Sequence, residues 1–310
     1  MLQYIGKRLL LMIPVIVGIS FILFCIMDLT PGDPARAMLG DYASQDAVDA
    51  LREEMGLNKP FFVRYGIYLL NAVRGDFGVS YRTKISCVTE IQRRFPTTLW
   101  IAALAMMIAT FIGIPIGIIS AVKQYSFTDI MSMVSALILT SVPPFWLGLI
   151  LIMIFTLGLR WLPSIGSATW RHMIMPSIAM AAAQMATLIR MTRSTMLEVI
   201  RQDYIRTAKS KGAPPMRIVF THSLRNTLLP VITVIGLSFS NLLGGALIIE
   251  NVFGISGLGT LMVTSVQSKD TPMLIASVLF AAVLGGLVNL VIDILYTYID
   301  PRVKVQFVKG

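Results

Sequence analysis

The sequence predicts an all-α integral membrane protein: six transmembrane helices, a small helical cap on the outer face and a helical elbow on the cytoplasmic face. Three observations predict it. The composition is 55% hydrophobic and only 14% charged, where a soluble domain has about 45–50% apolar and about 25% charged residues. Six stretches are long and apolar enough to cross a bilayer. The cations, in excess by a net charge of +10, gather on one side of those stretches.

A helix needs about 20 largely apolar residues to cross the hydrocarbon core. The stretches that qualify are 9–29, 97–122, 130–157, 173–189, 228–249 and 273–299. The fourth is the weakest, because Pro176, Gln184 and Thr187 interrupt it, and its charged continuation from Arg190 to Arg193 extends the same helix beyond the bilayer. The first follows Lys7 and Arg8 as a signal peptide would, but it is long and no small-x-small cleavage site closes it, so it reads as an uncleaved anchor. Pro143-Pro144 should kink the third span, since proline removes a backbone donor. A bundle in lipid folds as one unit, so the 310 residues are expected to form one domain, 1–310.

Positive charge in short loops sets orientation. With the N-terminus inside, fourteen of the 26 Lys and Arg fall inside: Lys7, Arg8, Lys123, eight between Arg190 and Arg225, and Arg302, Lys304 and Lys309. The short outer loops hold three, Arg160, Arg171 and Lys269. Both ends are therefore expected in the cytoplasm.

The long outer segment, 30–96, should form the cap. Ser44 can cap a helix running to about Met55, with Asp46 and Asp49 in its first turn. Gly56 ends it, a second amphipathic helix follows Pro60, and the turn-rich Arg74-Gly75-Asp76-Phe77-Gly78 closes the region. Gly113, Gly117 and Ala121 repeat every four residues, as do Gly236, Ser240 and Gly244. Such faces let helix backbones approach in lipid, within a subunit or between subunits.

The most informative stretch is 198–230, polar and basic between two spans. Residues 203–211 favour a helix, Gly212 breaks it, Pro214-Pro215 stiffen the turn, and residues 216–226 can form a second short helix. A rigid protruding elbow can transmit force from a partner where a floppy loop would not.

Few residues suggest chemistry. Cys25 and Cys87 have no metal spacing and read as structural, and His172 and His222 stand alone. There is no Gly-x-x-x-x-Gly-Lys-Ser/Thr, so the chain should not hydrolyse ATP, and no His-Glu-x-x-His. Gly254-Ile255-Ser256-Gly257 lacks the glycine that a nucleophile elbow needs where Leu258 stands. Gln184, Ser238 and Asn241 are candidates to line a polar pathway, or to hydrogen-bond between helices. Asp293 in the last span suits an ion pair near the inner face, and Glu250 a docking contact or a pore-mouth cap. The rival functions are a passive channel and a membrane enzyme.

Ala208, Gly212 and Leu229-Pro230 match the cytoplasmic "EAA-loop" pattern of bacterial ABC importer permeases. The run from Asp203 to Gly212, and Leu224-Arg225-Asn226-Thr227-Leu228-Leu229-Pro230, resemble the version in dipeptide and oligopeptide permeases. So do the start from Met1 to Arg8, Pro31-Gly32-Asp33-Pro34, and Gly56-Leu57 with Pro60. Further along, Gly75-Asp76-Phe77-Gly78-Val79-Ser80, Arg190-Met191-Thr192-Arg193-Ser194, Gly257-Leu258-Gly259 and the ending Asp300-Pro301-Arg302 match as well. The order and spacing of these matches cover nearly the whole chain. Arg206-Thr207-Ala208 stands where the general pattern has Glu-Ala-Ala, a change that resembles the peptide branch, and the outer region before Met173 is short.

The resemblance implies the first membrane subunit of a type I ABC importer in the bacterial inner membrane. Its partners would be a second, similar permease, two ATPase subunits, an extracytoplasmic solute-binding protein and membrane lipid, with no nucleic acid. ATP and magnesium would be held by the ATPase subunits, and this chain would carry no cofactor and no metal. The loop would be a coupling helix seated in one ATPase through Asp203, Arg206, Ala208, Lys209, Lys211, Gly212, Ala213 and Pro214. Short peptides are the solute expected, with nickel complexes, glutathione and sugars as alternatives carried by similar permeases.

Overall fold

The computed structural model describes residues 2–40 and 42–299. Met1, the Asp300-Pro301-Arg302 ending and the C-terminal cations Arg302, Lys304 and Lys309 lie outside the described residues. The described chain is mostly helical, and its only β pairing among those residues is a bridge between Val79 and Ser86. It contains five helices long and apolar enough to cross a membrane, or six if one bent pair counts as a single span. The chain divides into two compact units: Met1–Thr98 with Ser256–Gly286, and Leu99–Ile255 with Leu287–Gly310.

The first unit begins with α1 (Leu2–Leu29) and carries three short helices: α2 (Pro34–Leu39), α3 (Gln45–Glu54) and α4 (Phe61–Val73). Local chemistry explains each. Asp33 accepts a hydrogen bond from the Ala35 backbone N–H and Ser44 accepts one from Ala47, so both act as N-caps. At the end of α3, Gly56 and Leu57 donate to the Glu53 and Arg52 carbonyls, the double bond of a glycine-closed helix end. Then α4 packs on α1 through aromatic rings: Phe24 lies edge-on to Phe61 at 5.4 Å and to Tyr65 at 5.5 Å. The Tyr65 hydroxyl completes the joint by donating to the Val17 carbonyl at 3.0 Å.

The unit also holds α12 (Leu258–Gln267) and the start of α13 (Thr271–Ile299). The turn between them is closed by Asp270. Its buried carboxylate accepts from the Ser80 hydroxyl, from the Tyr81 N–H at 3.1 Å and the Arg82 N–H at 3.3 Å, and caps α13 through the Met273 N–H at 3.3 Å. One carboxylate thus ties the 76–86 turn to a helix start 190 residues later. Burial, and then the nearby Asp270 carboxylate, push the Tyr81 phenol up to about 12.

Helix α5 (Cys87–Val122) starts ten residues before the apolar run predicted from 97. Charge ended the apolar window, but helix continues through it because Arg94 Nε pairs with Glu90 one turn away at 3.2 Å. Cys87 is buried at this helix start, and both cysteines are free.

The second unit contains α6 (Phe127–Ser141), α7 (Pro144–Leu151) with a π-helical continuation over Ile152–Gly158, α8 (Trp170–Ile200), and α11 (Leu224–Val252). Pro143-Pro144 does more than kink the third span: the chain turns by 98° between α6 and α7. Val142 and Pro143 are extended there, as residues before proline prefer.

The weakness of the fourth stretch in sequence has a structural cause. Among the candidate spans, α8 has the lowest mean hydropathy and the most buried window, 56%, whereas α1 has the highest hydropathy and only 11%. A helix surrounded by protein need not be apolar to its edges, while a lipid-facing one must be. The close approach is made by Gly113 and Gly117 of α5. A Cβ on Gly117 would fall 2.7 Å from the Thr192 Cβ and 2.8 Å from the Ile189 carbonyl of α8. Gly236 is likewise closed off by Ile292, but Gly244 faces open space. The first small-residue face therefore packs within the chain, and the second does so at Gly236 but not at Gly244.

Candidate functional site

The elbow is built from the end of α8 to the start of the fifth span. After Ile200 the chain turns at Arg201 and Gln202, and α9 (Asp203–Ser210) follows. Its close is a Schellman motif: Gly212 donates to the Lys209 carbonyl at 2.9 Å and Ala213 to the Ala208 carbonyl at 3.2 Å. This geometry requires a left-handed residue, and Gly212 sits at φ +78°. No atom lies within 4 Å of a Cβ placed there, so conformation and not space selects glycine. Pro214 then extends the backbone, and Pro215 opens the next helix at its first position, where a missing N–H costs nothing.

The second arm differs from the expectation of a separate short helix over 216–226. Helix runs without a break from α10 (Pro215–Arg217) through a π-helical segment, Ile218–Ser223, into α11. The elbow is therefore one end of the fifth span.

Its inner face is anchored. Ile205 is fully buried, as are Met196 and Thr227, and Ile218 is nearly so. α9 packs on the π-helical segment, and the Asn226 amide donates to the Tyr204 hydroxyl at 2.8 Å. Thr227 donates to the Ser223 carbonyl at 3.0 Å within the widened turn. The outer face is exposed and basic. Asp203, Arg206, Lys209, Lys211 and Gly212 are exposed, Ala208 and Ala213 are half-buried, and Pro214 is exposed. Arg206 and Asp203 approach to 3.7 Å in full solvent, a contact of little energetic weight. Met216, Phe220 and Tyr204 add large exposed apolar area beside the cations.

The pathway candidates are less united. Gln184 on α8 is half-buried, Ser238 on α11 is buried and Asn241 is exposed. α8 and α11 pack along each other, but among the described residues none of the three side chains makes a hydrogen bond. Glu250 is fully buried, so it offers no surface for docking. Asp293 is half-buried on α13.

Sequence reasoning missed a buried pair near the elbow. Asp129, 2% exposed, accepts from Arg193 of α8, from the Ser120 hydroxyl at 2.5 Å and from the Tyr125 N–H at 2.9 Å. A signal existed: Ser126 precedes Asp129 by three at the mouth of an apolar run, and Ser126 does cap α6. Its partner is not local and left no trace nearby.

Apolar helices of membrane-spanning length with an anchored, basic, exposed elbow define a multi-span membrane protein. Residues 113–305 match the model for binding-protein-dependent transport system inner membrane components, and residues 1–102 match the model for their N-terminal part. The chain belongs to the binding-protein-dependent transport system inner membrane component family, the permease subunits of ABC importers. It is accordingly a multi-pass inner-membrane transport subunit and not an enzyme. It is 40% identical to the dipeptide transport system permease protein DppB of Alkalihalophilus pseudofirmus, over 98% of this chain and 100% of that one. It is equally 40% identical to the glutathione transport system permease protein GsiC of Escherichia coli K12, over 98% and 99%. Among solved structures it is similar in fold to a chain of the inward-facing MetNI methionine ABC transporter, with a TM-score of 0.58 and 18% identity, covering 69% of this chain and 97% of that one. Family membership implies an ATPase partner and a second permease subunit.

Proposed function

We propose that this chain and a second permease form the inner-membrane pathway of an importer for short peptides, delivered by an extracytoplasmic binding protein and driven by two ATPase subunits that hold the ATP and magnesium. The elbow carries the proposal. It is closed by a Schellman motif, anchored by Ile205 and continuous with the fifth span, so a push on its exposed face moves a whole helix. Asp203, Arg206, Lys209 and Lys211 present the contact surface, and Ala208, Gly212, Ala213 and Pro214 hold its shape. Closure of the ATPase pair then shifts the permease between two rigid arrangements.

In this arrangement both termini and the 198–230 segment are cytoplasmic, 30–96 forms the outer cap, and residues 1–310 act as one permease domain. Gln184, Ser238 and Asn241 keep unpaired polar groups on two adjoining helices, which suits a pathway for a hydrated solute. Glutathione, itself a modified tripeptide, is the second reading, favoured by the relative named for its transport.

Purification of the tagged chain from its own membranes in mild detergent, with mass spectrometry of what accompanies it, tests the assembly. Two ATPase subunits and a second permease are expected. A chain that came through alone across several gentle detergents would overturn the coupling proposal. Uptake of labelled dipeptide against labelled glutathione, in cells with and without the chain, separates the two solutes.

A further inference from the structure

We propose that the second unit carries a specific site for the phosphate headgroup of an anionic phospholipid, held between Arg160 and Arg171. A cleft of about 660 Å³ opens where the π-helical end of α7 meets the start of α8, and both arginines line it together with Trp161, Trp170, Thr156 and Thr169. No Asp or Glu occurs anywhere between residues 130 and 197, and among the described residues neither arginine has a carboxylate partner.

The backbone at Arg160 and the side chain of Arg171 are both held in place. Arg160 adopts φ +56°, a left-handed conformation that side chains rarely take, at the end of a turn fixed by two bonds. Trp161 donates to the Phe155 carbonyl and the Thr156 hydroxyl donates to the Leu162 carbonyl, each at 2.8 Å. The Arg171 guanidinium lies 5.8 Å from the centre of the Trp170 ring. A strained residue that carries a cation into an acid-free cleft is an arrangement that needs a reason.

The surroundings select a lipid over a free anion. The cleft sits at the ends of two apolar helices, which places it at the headgroup level of the membrane. Trp161 is 65% exposed and Trp170 72%, as in an interfacial aromatic belt. Beside them, Met153 and Leu157 turn more than 60% of their surface outward along the π-helical segment. Acyl chains can lie against that apolar flank while the phosphate accepts hydrogen bonds from the two guanidinium groups.

Tryptophan quenching tests this on the full chain reconstituted in vesicles. A Trp100→Phe/Trp146→Phe background leaves only Trp161 and Trp170 of the four tryptophans. Brominated phosphatidylglycerol should quench at lower concentration than brominated phosphatidylcholine, by about fivefold for each arginine. Arg160→Gln/Arg171→Gln should bring the two lipids to parity, Arg160→Lys/Arg171→Lys should keep most of the preference, and Arg74→Gln should leave it unchanged. Equal quenching by the two lipids in the starting protein would overturn the proposal. So would abolition of the preference by inorganic phosphate but not by chloride at equal ionic strength, which would mark a free-anion site. The same comparison between the wild-type chain and Arg160→Gln/Arg171→Gln keeps the test open if the tryptophan-depleted background fails to insert.

Discussion

Arg193 grips Asp129 with two nitrogens, Nε at 2.6 Å from one carboxylate oxygen and a terminal nitrogen at 2.8 Å from the other, across 64 residues of chain. The pair joins the turn after α5, the first turn of α6 and the lower part of α8, a few residues before the elbow. Asp129 is buried and Arg193 is one-fifth exposed. Two-pronged geometry with extra donors is the case in which a buried pair recovers its desolvation cost.

Removing one partner should therefore cost more than removing both. Asp129→Asn leaves a guanidinium without its anion and should destabilise the assembled transporter by about 3 kcal/mol. Asp129→Leu/Arg193→Met should lose less than either single change, because no charge is left behind. Thermal unfolding midpoints of the wild type, Asp129→Leu, Arg193→Met and the double variant check it, and additive losses would show that the two side chains do not act as a pair.

Gly212 is the point at which a small change should separate assembly from transport. A β-branched residue held in the left-handed region costs more than the roughly 1–2 kcal/mol of an ordinary side chain. Gly212→Val should insert and assemble but lose most uptake, because the elbow no longer holds its shape, while Gly212→Asn should retain much of it. Normal uptake by properly inserted Gly212→Val would remove the elbow from the mechanism.

Helix contact predicts opposite outcomes at two glycines. Gly117→Ala drives a methyl into the α8 backbone and should destabilise by about 1–3 kcal/mol. Gly244→Ala meets nothing and should be neutral or stabilising by about 0.5–1 kcal/mol, since glycine weakens a helix interior. Midpoints measured in the same detergent decide; equal effects would mean that α5 and α8 are not in close contact.

On the first unit, Asp270→Ala strips acceptors from the buried Ser80 hydroxyl and three backbone N–H groups. The loss should be about 2–3 kcal/mol, with faster proteolysis inside 76–86 as its local sign. Tyr81 adds a pH dependence. Its phenol ionises near pH 10 in the unfolded chain and at about 12 when folded. Its contribution is full below pH 10 and is lost as pH rises through that window. Tyr81→Phe should flatten the alkaline limb of the stability profile, and an unchanged limb would place the titration elsewhere.

The sequence alone determined the parts of this protein whose causes lie within a few residues. Apolar runs specify helices; Ser44 starts α3 and Gly56 stops it; Gly212 between a helix former and two prolines makes the elbow. Charge pattern and motif order were enough to reach the permease family. What needed tertiary structure was the choice of partners. Nothing near Asp129 points to Arg193, and nothing near Ser80 points to Asp270, because burial and hydrogen bonding select neighbours in space from across the chain. The same limit applies to Gly113 and Gly244: both look alike in a four-residue repeat, and only the helix packed opposite one of them makes its missing side chain necessary. The 98° turn at Pro143-Pro144 belongs here as well. Proline removes a donor and forces the preceding residue to extend, but the size of the bend is set by what the two halves pack against.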